Sequence, residues 1–138
     1  MTAINDFNRS LIDEFRAHDG KVNGPFEHAP LVLLTTTGAK SGREYTTPLV
    51  YKRDGDRLLV FGSKGGAPTH PAWFHNLVAN PKVLVELPGE RYEARAVVLD
   101  GEERDRLFDE QKAAMPAFAD YERKTERKIP VIALERMA

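Results

Sequence analysis

Cysteine is absent from all 138 residues, which removes disulfides, thiolate nucleophiles, cysteine-ligated zinc and iron–sulfur clusters together. Chemistry has to come from other side chains or from a bound cofactor. An excess of one charge is missing too: 20 lysines and arginines face 21 aspartates and glutamates, a net charge of −1. No global field draws nucleic acid or an anionic membrane, so an anion site has to be built locally. No apolar run approaches the ~20 residues of a membrane span. Met1 to Ser10 carry acidic and polar residues where a signal peptide needs an apolar core, which sets the expectation of a cytoplasmic protein. Repeats, linkers and low-complexity tracts are lacking. So are an HExxH array, a Gly-x-Ser-x-Gly elbow and a basic stripe with interleaved aromatics, the marks of zinc hydrolases, serine hydrolases and nucleic-acid binders. His70 and His75 are five apart and do not share a helix face, while His18 and His28 lie elsewhere, so no metal is expected.

What is present supports one packed domain, since 41% of the residues are hydrophobic and the length suffices for a single core. Ile4, Phe7, Leu11, Ile12 and Phe15 have the spacing of an amphipathic helix that ends near Gly20 to Gly24. Asp6, Asp13 and Glu14 flank that face, which favours packing on the body over docking on a membrane. Residues 1–27 therefore form a helix and linker on a body of residues 28–138. After Pro30 the texture is β: Leu31 to Thr37, Thr46 to Lys52 and Arg57 to Gly62, with Asp54-Gly55-Asp56 as a hairpin turn. A helix over Pro71 to Asn80 follows, then a second hairpin, Lys82 to Leu87 and Arg91 to Leu99, across Pro88-Gly89. Gly101 to Met115 reads as a helix continuing after Pro116 into a short turn through Tyr121, and Ile129 to Leu134 as a sixth strand. Six mostly hairpin-linked strands with helices at the start, in a crossover and near the end make an antiparallel α+β domain, a closed or split barrel.

Two loops have the composition of ligand sites. Gly38-Ala39-Lys40-Ser41-Gly42-Arg43 joins two strands and combines a turning backbone with two cations and a hydroxyl, a set that suits phosphate or carboxylate. Such a basic hairpin is also often just solvated. Phe61-Gly62-Ser63-Lys64-Gly65-Gly66-Ala67 runs from a strand end toward the helix holding Trp73 and Asn76, where close approach of a ligand to main chain is sterically open. A third cluster, Met115, Phe118 and Tyr121, repeats every three residues. It reads as core more readily than as pocket, with a lid edge as the functional alternative.

Taken in order, Leu33-Leu34-Thr35-Thr36-Thr37-Gly38-Ala39-Lys40-Ser41-Gly42, Pro48-Leu49, Ser63-Lys64-Gly65-Gly66, Pro71-Ala72-Trp73-Phe74-His75-Asn76-Leu77 and Ala79-Asn80-Pro81-Lys82-Val83 resemble the deazaflavin-dependent nitroreductase family of actinobacteria, over roughly residues 28 to 135. The resemblance implies a split β-barrel and coenzyme F420, an 8-hydroxy-5-deazaflavin with a phosphate and glutamates on its tail. Carried over by position, it makes Lys40, Ser41, Gly42, Arg43, Tyr45, Thr47, Pro48, Ser63, Lys64, Gly65, Gly66, Trp73 and Asn76 the cofactor-binding set. Met115, Phe118 and Tyr121 become the substrate-binding set, and Ser63 and Tyr121 are candidates for orienting the acceptor. The cofactor carries the hydride chemistry and the protein binds, orients and polarises, which agrees with a sequence that holds no recognisable catalytic set.

The chain departs from the family in two places. Members that reduce bulky nitroimidazoles are tyrosine-rich across the segment matching Met115, Phe118 and Tyr121, and here only Tyr121 keeps a hydroxyl, which favours quinones, enones or other acceptors held by apolar contact. Ala39 and Tyr45 stand where an arginine is common, so tail contacts are expected to be fewer. The leading expectation is F420H(2)-dependent reduction of a quinone, enone or nitro compound by a monomer. The alternatives are a split barrel that binds FMN, and a non-catalytic carrier of deazaflavin or lipid.

Overall fold

The structure, a computed structural model, describes residues 6–22 and 29–137. Ile4, Asn23, Gly24 and His28 lie outside the described residues, as does the side chain of Phe7. The elements are α1 (Asp6–Ala17), β1 (Leu31–Thr37), β2 (Glu44–Asp54), β3 (Arg57–Phe61), a 3-10 turn at Lys64–Gly66, α2 (Ala72–Ala79), β4 (Lys82–Leu87), β5 (Glu90–Val98), α3 (Gly101–Ala114), α4 (Ala117–Arg123) and β6 (Val131–Arg136).

The six strands close into one antiparallel barrel in the order β1-β2-β3-β6-β5-β4. The closing seam, β1 on β4, is short, with Leu33, Leu34 and Thr35 opposite Glu86, Val85 and Leu84. The two-residue period of a strand sorts the side chains. Val32 and Leu34 of β1, Leu58 and Val60 of β3, Val83 and Val85 of β4 and Ile132 and Leu134 of β6 fill the barrel, and Trp73 and Leu77 of α2 join them. The opposite faces are covered as well. Leu31 and Leu33 pack under Leu11, Ile12 and Phe15 of α1, and Leu59, Phe61, Val131 and Ala133 lie under Leu107 and Phe108 of α3 and Phe118 of α4. Both faces being covered explains why β1 reads as a continuous apolar run rather than an alternating one.

β2 is different: none of its residues is fully buried. Its first half pairs with β1, from Leu31 opposite Val50 to Thr37 opposite Glu44. Pairing with β3 begins only at Tyr51. Among the described residues the outer edge of residues 44–50 thus has no strand partner, and Pro48, which has no N–H to give to a ladder, sits on that half.

Several sequence-based boundaries shift by one or two residues, and four of the differences have a plain cause. β2 starts two residues earlier than its β-branched run, because Glu44 and Tyr45 pair with Thr37 and Thr36. β6 starts at Val131 rather than Ile129, since Pro130 breaks the ladder just before it. The segment after Pro116 is a separate helix, α4, with proline just before its first turn. The 3-10 turn at Lys64–Gly66 replaces what read as open loop.

Candidate functional site

The free edge of β2, the loop after β1 and the start of α2 surround one cleft of about 630 Å³, within the range typical of small-molecule sites. Gly38, Ala39, Lys40 and Ser41 come from the loop and Tyr45, Thr46 and Thr47 from β2. Ala72, Trp73, His75 and Asn76 come from α2, and Asn8 from α1. Among the described residues no aspartate or glutamate lines it. A described lining with Lys40 as its cation and no carboxylate suits an anionic ligand.

The loop is shaped by its own side chains. Ser41 Oγ accepts from the Arg43 N–H at 3.1 Å and shares a proton with Tyr45 Oη at 3.2 Å, so the Ser41 hydroxyl is already engaged in the turn. A Cβ on Gly38 would come within 2.6 Å of that Ser41 oxygen and 2.9 Å of the Tyr45 ring, so only glycine lets the loop fold back onto β2. Gly42 and Arg43 sit at the exposed tip, Gly42 with φ +73°, outside the cleft lining.

Asn76 joins this loop to the helix. Its Oδ1 accepts from the Ala39 N–H at 3.0 Å, and its Nδ2 donates to Oγ1 of the buried Thr36 at 3.2 Å. One turn later Asn80 Nδ2 donates to the Thr37 carbonyl at 3.3 Å. Two asparagines on one helix face thus fasten α2 across the end of β1.

The other expected residues lie elsewhere. Ser63 is buried, and Lys64 is exposed with φ +47° and donates to Thr69 Oγ1 at 3.2 Å; neither lines the cleft. Gly65 lies within the 3-10 turn and Gly66 ends it, packed against Lys124 and the Tyr121 carbonyl. Pro48 is half-buried opposite Leu33. Phe118 is core, edge-on to Phe61 and Tyr121, with Met115 and Tyr121 packed against the same cluster.

Three residues escaped the sequence reading. Asn8 brings α1 into the cleft wall, and His75 lines the cleft rather than merely flanking a helix start. The third is Arg127, whose guanidinium contacts the Gly62 to His70 loop. His70 receives a hydrogen bond from it and has its pKa lowered, first by burial and then by Arg127 and His75. Among the described residues no group of three or more metal-ligating side chains is placed to hold an ion, and no described helix is long and apolar enough to cross a membrane.

A family model described as F420H(2)-dependent quinone reductase matches residues 7–136. The chain belongs to the F420H(2)-dependent quinone reductase family. Within it, an F420H(2)-dependent quinone reductase of Mycobacterium tuberculosis is 37% identical over 128 residues, covering 88% of this chain and 85% of that protein. The solved structure of an F420-H2 dependent reductase is similar at 41% identity and TM-score 0.70, over 77% of this chain and 94% of that one. A second solved chain, described as a domain-swapped dimer, is similar at 36% identity and TM-score 0.72, over 92% and 96% of the two chains.

Membership makes this chain an oxidoreductase on a split-barrel fold with coenzyme F420 as its cofactor. The FMN alternative finds no support among these relatives, and a domain-swapped relative lends none to the expected monomer. The residues present fit the family's cofactor. The cleft offers Trp73 as an apolar wall for a fused ring, threonine hydroxyls for its polar edge, Lys40 for an anionic tail and, among the described residues, no carboxylate to repel that tail.

Proposed function

We propose that this reductase takes hydride from reduced coenzyme F420 and delivers it to a quinone, with enones and nitro compounds as slower acceptors. The observation that carries the reading is the cleft between the loop after β1, the free edge of β2 and α2, which Lys40 lines and no described carboxylate does. The names of the relatives, F420H(2)-dependent quinone reductases, support the choice of acceptor.

When bound, the reduced deazaflavin supplies a hydride and resists one-electron reaction with oxygen. The protein's part is binding and orientation. Lys40 and Arg43 give the tail's phosphate and glutamates their cationic partners. Trp73 supplies a flat face, and Thr46 and Thr47 supply donors at the cleft edge. The Asn76 amide keeps the loop at the distance that α2 sets. Met115 and Tyr121, packed on the core that holds Phe118, form the acceptor side, and Ser63 and Lys64 in the second loop belong with the cofactor contacts. A hydroxyl from Ser63 or Tyr121 hydrogen-bonds the acceptor oxygen on which negative charge grows. Acceptors that bind by apolar area are favoured there, since Met115 and Phe118 bring no hydroxyl.

The test is a fluorescence titration with F420, with the tail-less deazaflavin and FMN alongside, followed by oxidation of reduced F420 with menadione, an enone and a nitroimidazole. The reading requires micromolar F420 binding, weaker binding of the tail-less ring, and fastest turnover with menadione. It also requires Lys40→Ala to raise the F420 Kd while leaving that of the tail-less ring in place. Preference for FMN, or fastest turnover with the nitroimidazole, overturns it.

A further inference from the structure

Arg127 lies between α4 and β6 and reaches into the loop that follows β3. Its Nη1 donates to the Gly62 carbonyl at 3.0 Å and to His70 Nδ1 at 3.0 Å. Its Nη2 donates to the Ser63 carbonyl at 2.8 Å, and its Nε to the Ala67 carbonyl at 2.9 Å. One planar fork thus fastens residues from Gly62 to His70, which only a guanidinium can do. Among the described residues no carboxylate pairs with it within ion-pair distance. Half-buried without a counter-ion, it is an expensive cation to keep unless those acceptors are its purpose.

What it fastens is adjacent to the site. The nine residues contain Ser63 and Lys64, the latter in a left-handed conformation that costs a lysine energy. They end at the buried Pro71, after which α2 brings Ala72 and Trp73 into the cleft. The hydrogen bond to Nδ1 also fixes His70 as the tautomer with its proton on Nε2.

We propose that Arg127 is a positioning residue of the reductase: it touches neither cofactor nor acceptor, and it holds residues 62–70 in the conformation that sets Ser63, Lys64 and the start of α2. The consequence for binding rests on the cofactor reading above; the geometry does not.

Arg127→Met and Arg127→Lys are each measured in two ways. In the free protein, the His70 imidazole is titrated by NMR. With the neighbouring cation removed in Arg127→Met, its pKa rises toward the ordinary histidine value. In the F420 titration, a loop that is correctly folded about a tenth of the time raises the Kd about tenfold. Arg127→Lys restores little of the affinity, because an ammonium cannot address four acceptors in a plane, whereas methylguanidinium added to Arg127→Ala restores part of it. A folded Arg127→Met protein whose F420 Kd stays within about twofold of wild type overturns the proposal, as does a His70 titration that does not move. If Arg127→Met does not fold, Arg127→Lys and the methylguanidinium rescue decide on the same criteria. If the wild type binds no F420, the cofactor reading fails, and the His70 titration still decides whether Arg127 holds the loop.

Discussion

Replacing Asn76 separates the strut from the charge of the cleft. In Asn76→Ala, the Ala39 N–H and Thr36 Oγ1 lose partners at 3.0 and 3.2 Å. At about 0.5–1.5 kcal/mol each, the loss is about 1–3 kcal/mol, or a fall of roughly 3–15 °C in Tm for a chain of this size. In Asn76→Asp the carboxylate still accepts from Ala39, and the Thr36 hydroxyl can rotate to donate to it, so stability stays within about 1 kcal/mol of wild type. The variant does, however, introduce a carboxylate where no described residue of the cleft lining has one. Charges about 8 Å apart at an effective dielectric of about 20 repel by about 2 kcal/mol, which weakens F420 binding about thirtyfold. The tail-less deazaflavin, lacking the anions, should lose far less. Thermal melts and paired fluorescence titrations of the two variants are the assay. An Asp variant as unstable as the Ala variant would refute the strut, and an Asp variant that binds F420 normally would show that the anionic tail does not pass this loop.

Three other outcomes are expected. Gly66→Ala places a Cβ 2.8 Å from both the Tyr121 carbonyl and Lys124 Cβ at a φ of +86°, which costs about 2–4 kcal/mol and shows as a lower urea midpoint at unchanged m. Phe118→Ala empties a core position, 6% exposed, beside Phe61, and should cost about 3–5 kcal/mol; a stable variant altered only in its quinone KM would instead assign the ring to the acceptor pocket. His70, whose pKa is lowered by burial and by Arg127, stays neutral in the folded protein at a pH where the unfolded chain already takes up a proton. Stability is therefore fully present above about pH 6.5 and falls as the pH drops below it toward the lowered folded-state value. Denaturant titrations across that range should show the slope flatten in His70→Gln.

How much of this the sequence carried depends on distance along the chain. The strands were legible because their β-branched runs are local, and β1 was clearest because both of its faces are buried. The loop from Gly38 to Arg43 announced its composition, and the cleft forms beside it. What stayed hidden are contacts that no periodicity encodes. Asn76 read as a cofactor contact, yet its carbonyl oxygen meets Ala39, 37 residues away. Arg127 is one charge in the run Glu122-Arg123-Lys124-Thr125-Glu126-Arg127-Lys128, and nothing local marks it as the residue that reaches back to Gly62. The stripe of Met115, Phe118 and Tyr121 shows the opposite limit: a spacing of three predicts a shared helix side, and the structure places that side on the core around Phe61.

The strand order bears on how the molecule is assembled. β1 to β5 alone can lie as an open sheet, β3-β2-β1-β4-β5, whose two outer strands face nothing until the sixth arrives between them. A nascent chain therefore exposes two bare edges through the whole synthesis of α3 and α4, and the bond that ends this exposure has a large sequence separation. Any second copy waiting in the same state offers the same gap to be filled, so the interval before β6 emerges is when this protein is most open to pairing with the wrong chain.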